Sequence, residues 1–144
     1  MSRHATFRDA VRTKIATLTL TGIDAANIVT RKVPVDRNLT LPGIVICAFG
    51  QETFWSEGNS YTSVGYPVAV VIHEASNQVY TADDTELTWR QTIFDAFHKK
   101  GGAVVSGAEK VEVECGPIID LPAWEQANLA LSFLTIRCYD RVNR

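Results

Sequence analysis

Three histidines are the side chains best suited to acid–base catalysis, because an imidazole titrates near neutral pH. His4 lies in the N-terminal segment, His73 at the end of an apolar run and His98 at the end of an amphipathic one. None has an obvious catalytic partner. Glu74 follows His73, and a histidine and a glutamate at a strand end are expected to form a solvated edge pair. A cation at the position of His98 is favourable near a helix C-terminus.

Motifs for nucleophilic, phosphate or metal chemistry are also missing. Val105-Ser106-Gly107 lacks the leading glycine of a nucleophile elbow, and Gly101-Gly102 lacks the spacing of a phosphate loop. The cysteine and histidine residues lie tens of positions apart, unlike the paired ligands of a metal site. We therefore predict no enzyme activity, no cofactor and no metal. The three cysteines, Cys47, Cys115 and Cys138, are expected to be buried free thiols.

Composition indicates an ordinary globular chain. It has 144 residues, of which 46% are hydrophobic and 21% charged, with a formal net charge of −2. This length suits one core, so we predict a single domain over residues 1–144. The small net charge disfavours a general nucleic-acid binder. The N-terminal residues are charged where a secretory signal is apolar, and no run is long enough to span a membrane, so we expect a protein kept in a cytoplasm-like compartment.

Two segments have helical periodicity. Between Ala5 and about Leu20, apolar residues recur every three or four positions, and Gly22 would end that helix. A second helix is predicted from Thr85 to Lys100, with Gly101-Gly102 as its end.

The other segments favour strands. We predict strands over residues 28–33, 44–48, 66–73 and 110–115, followed by a long closing strand from Asn128 to about Val142. Residues 50–65 are expected to form a long loop or a splayed hairpin. Because the strands come in hairpin-like pairs, the predicted fold class is α+β: a mixed, mainly antiparallel sheet with two helices packed on one face.

Charge is distributed unevenly along the chain. Residues 1–40 carry seven basic and three acidic side chains, residues 41–98 carry one and seven, and residues 99–144 carry six and six. A basic first segment and an acidic middle are compatible with complementary faces of a head-to-tail contact, which closes into a ring at a suitable rotation per subunit. The alternative is a mixed, solvated surface.

Two segments have aromatic or polar residues where a core residue is not expected. Residues 49–61 combine glycines and acids with Phe54, Trp55 and Tyr61. Such aromatics either pack back onto the core or anchor a neighbouring subunit, where Trp and Tyr are enriched, and we favour the second interpretation. The closing strand ends in Arg137, Tyr139 and Arg141, which are too polar for a core. We expect it to project beyond the sheet or to offer an edge to another chain.

The order of elements resembles that of the tail terminator (tail completion) proteins of tailed bacteriophages. The resemblance rests on Leu41-Pro42-Gly43-Ile44-Val45-Ile46 with its glycine- and aromatic-rich loop, the strand 66–73, the helix 85–100 and the long closing strand. It implies a structural virion protein, assembled in the host cytoplasm, that forms a hexameric ring at the head-proximal end of the tail tube. Such a ring stops tube polymerisation, joins the tube to a neck stopper or connector, and lets DNA pass without specific binding.

The interface residues are predicted from the surface features alone: Arg8, Arg12, Arg31, Lys32, Glu52, Phe54, Trp55, Glu57, Tyr61, Arg137, Tyr139 and Arg141. The double substitution of Phe54 and Trp55 by alanine should leave a folded chain that neither forms rings nor caps tubes. Two alternatives remain open. The chain could be another neck or tail component, such as a head–tail stopper or a baseplate protein. More distantly, it could be a ligand-binding or enzymatic domain with a deep polar pocket near His73 or His98.

Overall fold

The computed structural model describes residues 2–56, 61–75, 84–102, 104–120, 122 and 129–143. Within these residues the elements are α1 (Arg3–Thr17), a 3₁₀ turn (Ala25–Asn27), β1 (Ile28–Thr30), β2 (Gly43–Cys47), β3 (Thr53–Ser56), β4 (Tyr61–Ala75), α2 (Thr85–Phe97), β5 (Lys110–Cys115) and β6 (Leu129–Asn143).

The sheet is mixed and mostly antiparallel. Its strand order is β1-β2-β4-β6-β5, and β3 pairs with the first part of β4. Only β1 and β2 are parallel among the described pairs. The longest strand pair of the sheet is that of β4 and β6, which runs without interruption from Tyr61↔Asn143 to Ala75↔Leu129. The predicted α+β class is confirmed.

Both helices bury apolar stripes on the same face of this sheet, which we call the helix face. From α1 come Phe7, Val11 and Ile15, four residues apart, and α2 contributes a similar stripe that includes Ile93 and Phe97. Alternate residues of the strands meet them, among them Ile44, Ile46, Val68, Val70, Ile72, Val111, Leu134 and Ile136. The helical period of 3.6 residues and the strand period of two residues thus place apolar side chains in one main core.

The opposite face of the sheet, the back face, has a smaller apolar cluster. Val71, Leu129 and Leu131 are buried there, and Val35 packs against them from the connection between β1 and β2. That connection, residues 31–42, begins with a hydrogen bond from the Arg31 amide to the Ile46 carbonyl at 3.0 Å. Val35 and the bond from the Asp36 amide to His73 show that it covers one end of the back face.

Several predicted boundaries are wrong for identifiable reasons. The helices end at Thr17 and Phe97 rather than near Leu20 and Lys100, because Thr19 (φ 49°) and Lys99 (φ 57°) are left-handed before the predicted glycines are reached. Gly22 is left-handed as well (φ 84°). β1 stops at Thr30, three residues early. For residues 50–65 the sequence predicted either a long loop or a splayed hairpin. The segment contains β3 and the start of β4, which pair antiparallel, so the hairpin is the alternative observed.

Candidate functional site

The most exposed aromatic side chain described belongs to an arm that extends the sheet. We define the arm as β3, residues 61–66 of β4 and residues 138–143 of β6. Within the described residues, β5 pairs with β6 only as far as Lys110↔Tyr139, so the outer arm is three strands wide. Phe54 lies on β3 and is 73% exposed. Phe54 is therefore the arm residue best placed to contact another chain.

The N-terminus of α1 braces the arm. Ser2 caps the helix by accepting a hydrogen bond from the Ala5 amide at 3.0 Å. Arg3 Nε donates to Asp140 Oδ2 at 2.7 Å, and His4 Nδ1 lies 3.4 Å from Glu52 Oε1. The other ring nitrogen of His4 faces the carbonyl oxygen of Pro67. The predicted interface residue Glu52 is thus placed beside the arm, with a histidine as its partner.

Tyr66 fills the corner between α1 and the arm. Its ring centroid lies 5.6 Å from that of His4 and 5.5 Å from that of Phe7. Burial, followed by the nearby Asp140 carboxylate, raises the pKa of the Tyr66 phenol. The ring therefore remains a neutral packing group that holds the arm at a fixed angle to the helix.

The predicted residues of the closing strand lie together on the back face, and all have partners within the chain. Arg137 Nε donates to Glu114 Oε1 at 3.0 Å, and its NH1 donates to the Gln51 carbonyl at 3.3 Å. Arg141 Nε lies 3.0 Å from Glu109 Oε2. This half of the back face therefore carries a row of ion pairs.

Tyr139 is the aromatic member of that row. Lys110 Nζ lies 5.0 Å from the centre of its ring, and the hydroxyl donates to Glu112 Oε2 at 3.5 Å. A hydrogen bond from Lys110 is the main reason why the pKa of Glu112 is lowered, and burial raises the pKa of Tyr139. Gly65 makes room for this ring, since a Cβ there would lie 2.9 Å from Tyr139 Cε1.

The predicted basic residues separate into two groups. Arg8 Nε pairs with Asp9 at 2.9 Å, and Arg12 donates to the carbonyls of Ile28 and Ala25 at 2.9 and 3.1 Å. Arg12 therefore ties α1 to the 3₁₀ turn and β1, whereas the described ion pair of Arg8 lies within α1. Arg31 and Lys32 instead lie exposed in the connection between β1 and β2.

For two predicted interface residues the structure describes only the strand position, and a third lies outside it. Trp55 and Tyr61 belong to β3 and β4, with Trp55 opposite Ser63 and Tyr61 opposite Asn143, but their side chains lie outside the described structure. Glu57 lies outside the described residues.

The histidines have structural partners that the sequence did not suggest. His73 is fully buried, so the predicted solvated pair with Glu74 is wrong. Its Nε2 accepts a hydrogen bond from the Asp36 amide at 3.3 Å, which leaves Nδ1 to donate to the Val71 carbonyl at 3.1 Å. Burial is the largest influence on this imidazole and lowers its pKa. His73 is therefore a neutral anchor for the connection that covers the back face.

His98 is also a structural residue. Its Nδ1 accepts a hydrogen bond from the Val113 amide at 3.2 Å, and its ring stacks on Phe94 with centroids 4.5 Å apart. It therefore joins the end of α2 to β5.

Two of the three cysteines are buried as predicted. Burial raises the pKa of Cys47 to about 11 and that of Cys138 to about 12, which keeps both thiols protonated. The prediction is wrong for Cys115, which is exposed. It is the last residue of the edge strand β5.

Two grooves flank α2. One, of about 390 Å³, lies between its first turns and residues 18–21, and threonines and Trp89 line it. The other, of about 290 Å³, lies between α2 and the end of β5. We call it the α2 groove; it is lined by Leu87, Arg90, Gln91, Phe94, Cys115 and Leu134.

Arg90 is the residue that sequence analysis missed. Only 9% of it is exposed. Its NH1 donates to Ser132 Oγ at 2.6 Å and to the Phe133 carbonyl at 2.9 Å, and its NH2 donates to the Gly116 carbonyl at 3.1 Å. This guanidinium clamps α2 to the point where the chain leaves β5.

No group of three or more histidine, cysteine or acidic residues suited to a metal ion occurs in the described part of the chain. Among the same residues, no helix is both long and apolar enough to cross a membrane. No protein-family model matches the sequence, and no curated protein matches it either.

Proposed function

We propose that this chain is a tail terminator: a structural virion protein that forms a ring on the head-proximal end of a phage tail tube. The ring would stop tube growth and join the tube to a neck stopper or connector. On this proposal the chain assembles in the host cytoplasm, acts through its shape, and carries out no reaction.

The observation that carries the proposal is the arm. It lengthens the sheet beyond the part that both helices cover, and it exposes 73% of Phe54. Arg3 and His4 brace it from α1, and Tyr66 of the arm packs against Phe7 of the same helix. A braced projection loses little conformational freedom when it binds, so more of its contact energy is available to hold a neighbouring chain.

The described polar groups also favour a structural role. His73 and His98 bond to backbone groups, Arg90 bonds to carbonyls, and two of the cysteines are buried thiols. These side chains are thus engaged in the fold itself. The resemblance in element order and size then favours the tail terminator over other small structural proteins.

Assembly with tail tubes tests the proposal. The purified chain is added to growing tubes, and tube ends and lengths are followed by electron microscopy. We expect a ring at one end of each tube and an arrest of growth. Tubes that grow equally long with and without the chain would refute capping, while a ring at the distal tip or inside the head would indicate another virion component.

A pair of variants tests the arm. Changing Phe54 and Trp55 to alanine should leave the unfolding transition unchanged and abolish both ring formation and capping, because the exposed anchor is lost. The matched control is Ile118→Ala, which removes a side chain that is 50% exposed and lies outside the arm. If the control and the arm variant cap tubes equally well, the arm is not the contact.

A further inference from the structure

One surface with an exposed apolar tip lies on the connection between β1 and β2. We call residues 31–38 the basic loop; they contain three cations and one acid, a net charge of +2. Val33 is 59% exposed, and its neighbour Lys32 is exposed as well. Neither Lys32 nor Arg37 has an ionic partner among the described residues.

The basic loop is held in a fixed shape. Asp36 accepts hydrogen bonds from Arg31 Nε and from the Asn38 amide, both at 2.9 Å, and its own amide donates to His73. Val35 packs into the apolar cluster of the back face. The tip at Val33 therefore projects from a preorganised base, which lowers the entropy cost of binding.

A surface of complementary character lies along α2. Residues 84–97 contain three acids and one arginine, a net charge of −2. That arginine is the buried Arg90, whose described hydrogen bonds go to the fold, and Glu86 is half-buried, so the exposed charges of residues 84–97 are those of Asp84 and Asp95. Leu87, 46% exposed, forms part of the wall of the α2 groove, and Asp95 lies beside it, bonded to Gln91 at 2.8 Å.

The two surfaces lie on opposite faces of the sheet. Val35 and Asp36 of the basic loop contact the back face, at the Val71 cluster and His73, whereas α2 packs on the helix face. The loop of one molecule therefore cannot enter its own groove, but it can reach the groove of a second molecule.

We infer that the basic loop of one copy docks in the α2 groove of the next, with Val33 against the apolar lining and Lys32 and Arg37 beside the acids of α2. This contact rests on the proposed function, because it is the side-by-side contact of the ring. Two unlike surfaces on one chain give a head-to-tail interface, which closes into a ring at a suitable rotation. The contact acts alongside the anchor on the arm.

Reciprocal charge reversal tests the contact. The loop variant carries Lys32→Glu and Arg37→Glu, and the helix variant carries Asp84→Lys and Asp95→Lys. Each variant alone places like charges in every interface, which should weaken self-association by about 100-fold. In an equimolar mixture the two variants can alternate around the ring. The acidic loop of one then meets the basic helix of the other, and the basic loop meets the acidic helix, so every interface is complementary. Native mass spectrometry should then show even-numbered rings containing both variants equally.

The matched control reverses two cations elsewhere, with Lys14→Glu and Lys100→Glu, and should still form rings. Circular dichroism and the unfolding midpoint verify that every variant is folded. Rings from either variant alone, or a mixture that fails to assemble where the wild type does, would overturn the inference and leave the proposed function standing. A wild-type chain that neither self-associates nor caps tubes would refute both.

Discussion

Replacing Arg90 with methionine is expected to lower the free energy of unfolding by about 3 kcal/mol. Methionine keeps much of the aliphatic stem but removes the donors to Ser132, Phe133 and Gly116, made at 2.6, 2.9 and 3.1 Å. Each hydrogen bond to a charged group contributes about 1.5–3 kcal/mol. Removing the cation also relieves a desolvation cost of several kcal/mol, which offsets much of that loss. What remains is the cost of the Ser132 hydroxyl and the Gly116 carbonyl losing their donor, since the Phe133 carbonyl still accepts from the Gly116 amide at 3.0 Å.

Urea denaturation followed by tryptophan fluorescence measures this loss. Gln91→Met is the matched control, because its side chain is exposed on the same helix and should change the free energy of unfolding by less than about 0.5 kcal/mol. A double-mutant cycle with Ser132→Ala should give a coupling energy of about 1 kcal/mol or more, since the two side chains share a hydrogen bond. If Arg90→Met is as stable as Gln91→Met, the guanidinium is not a clamp.

Three further predictions concern stability. Burial lowers the pKa of His73, so its contribution to stability is complete above the ordinary value of 6.5 and is lost as the pH falls through the lower folded pKa. Between pH 7.5 and pH 5, His73→Gln should therefore lose less free energy of unfolding than the wild type. Thr19→Gly should stabilise the chain by about 1 kcal/mol, because Thr19 is left-handed at φ 49°, and an unchanged melting temperature would contradict this. Gly65→Ala should cost about 1–3 kcal/mol, because its Cβ would lie 2.6 Å from Thr53 Oγ1, and a fully stable variant would show that the arm repacks freely.

Features set by local periodicity were predictable from the sequence. The stripe of Phe7, Val11 and Ile15 defines the buried side of α1 whatever lies opposite it. In β5, the alternation of Val111 and Val113 with charges likewise gives the face that packs against α2. These local patterns were sufficient for the α+β class and for both helices on one face.

Features that depend on distant partners were not predictable. Residues 61–65 have little strand character of their own, and they extend β4 because β6 pairs with them from the far end of the chain. Arg90 is adjacent to the buried Trp89, which was a weak indication, but its acceptors arise only where residues 116 and 133 meet. His73 at a strand end gave no sign that Asp36 would cover it.

The candidate surfaces were predicted only in part. Phe54 is exposed as expected, and Arg137, Tyr139 and Arg141 do lie on one face, but each of these last three has a partner within the chain. The acidic middle of the sequence is spread over the molecule, since Glu52 lies by the arm while Asp84 and Asp95 lie on α2. Segment charge predicted complementary surfaces, but it did not indicate where on the fold the charged side chains lie.

Native mass spectrometry of the wild-type chain, combined with electron microscopy of tubes to which it has been added, tests the central proposal most directly. We predict one closed oligomer, six copies by the resemblance, and tubes that carry this ring at one end and grow no further. A chain that remains monomeric at the highest concentration reached and leaves tube growth unaffected would contradict the proposal.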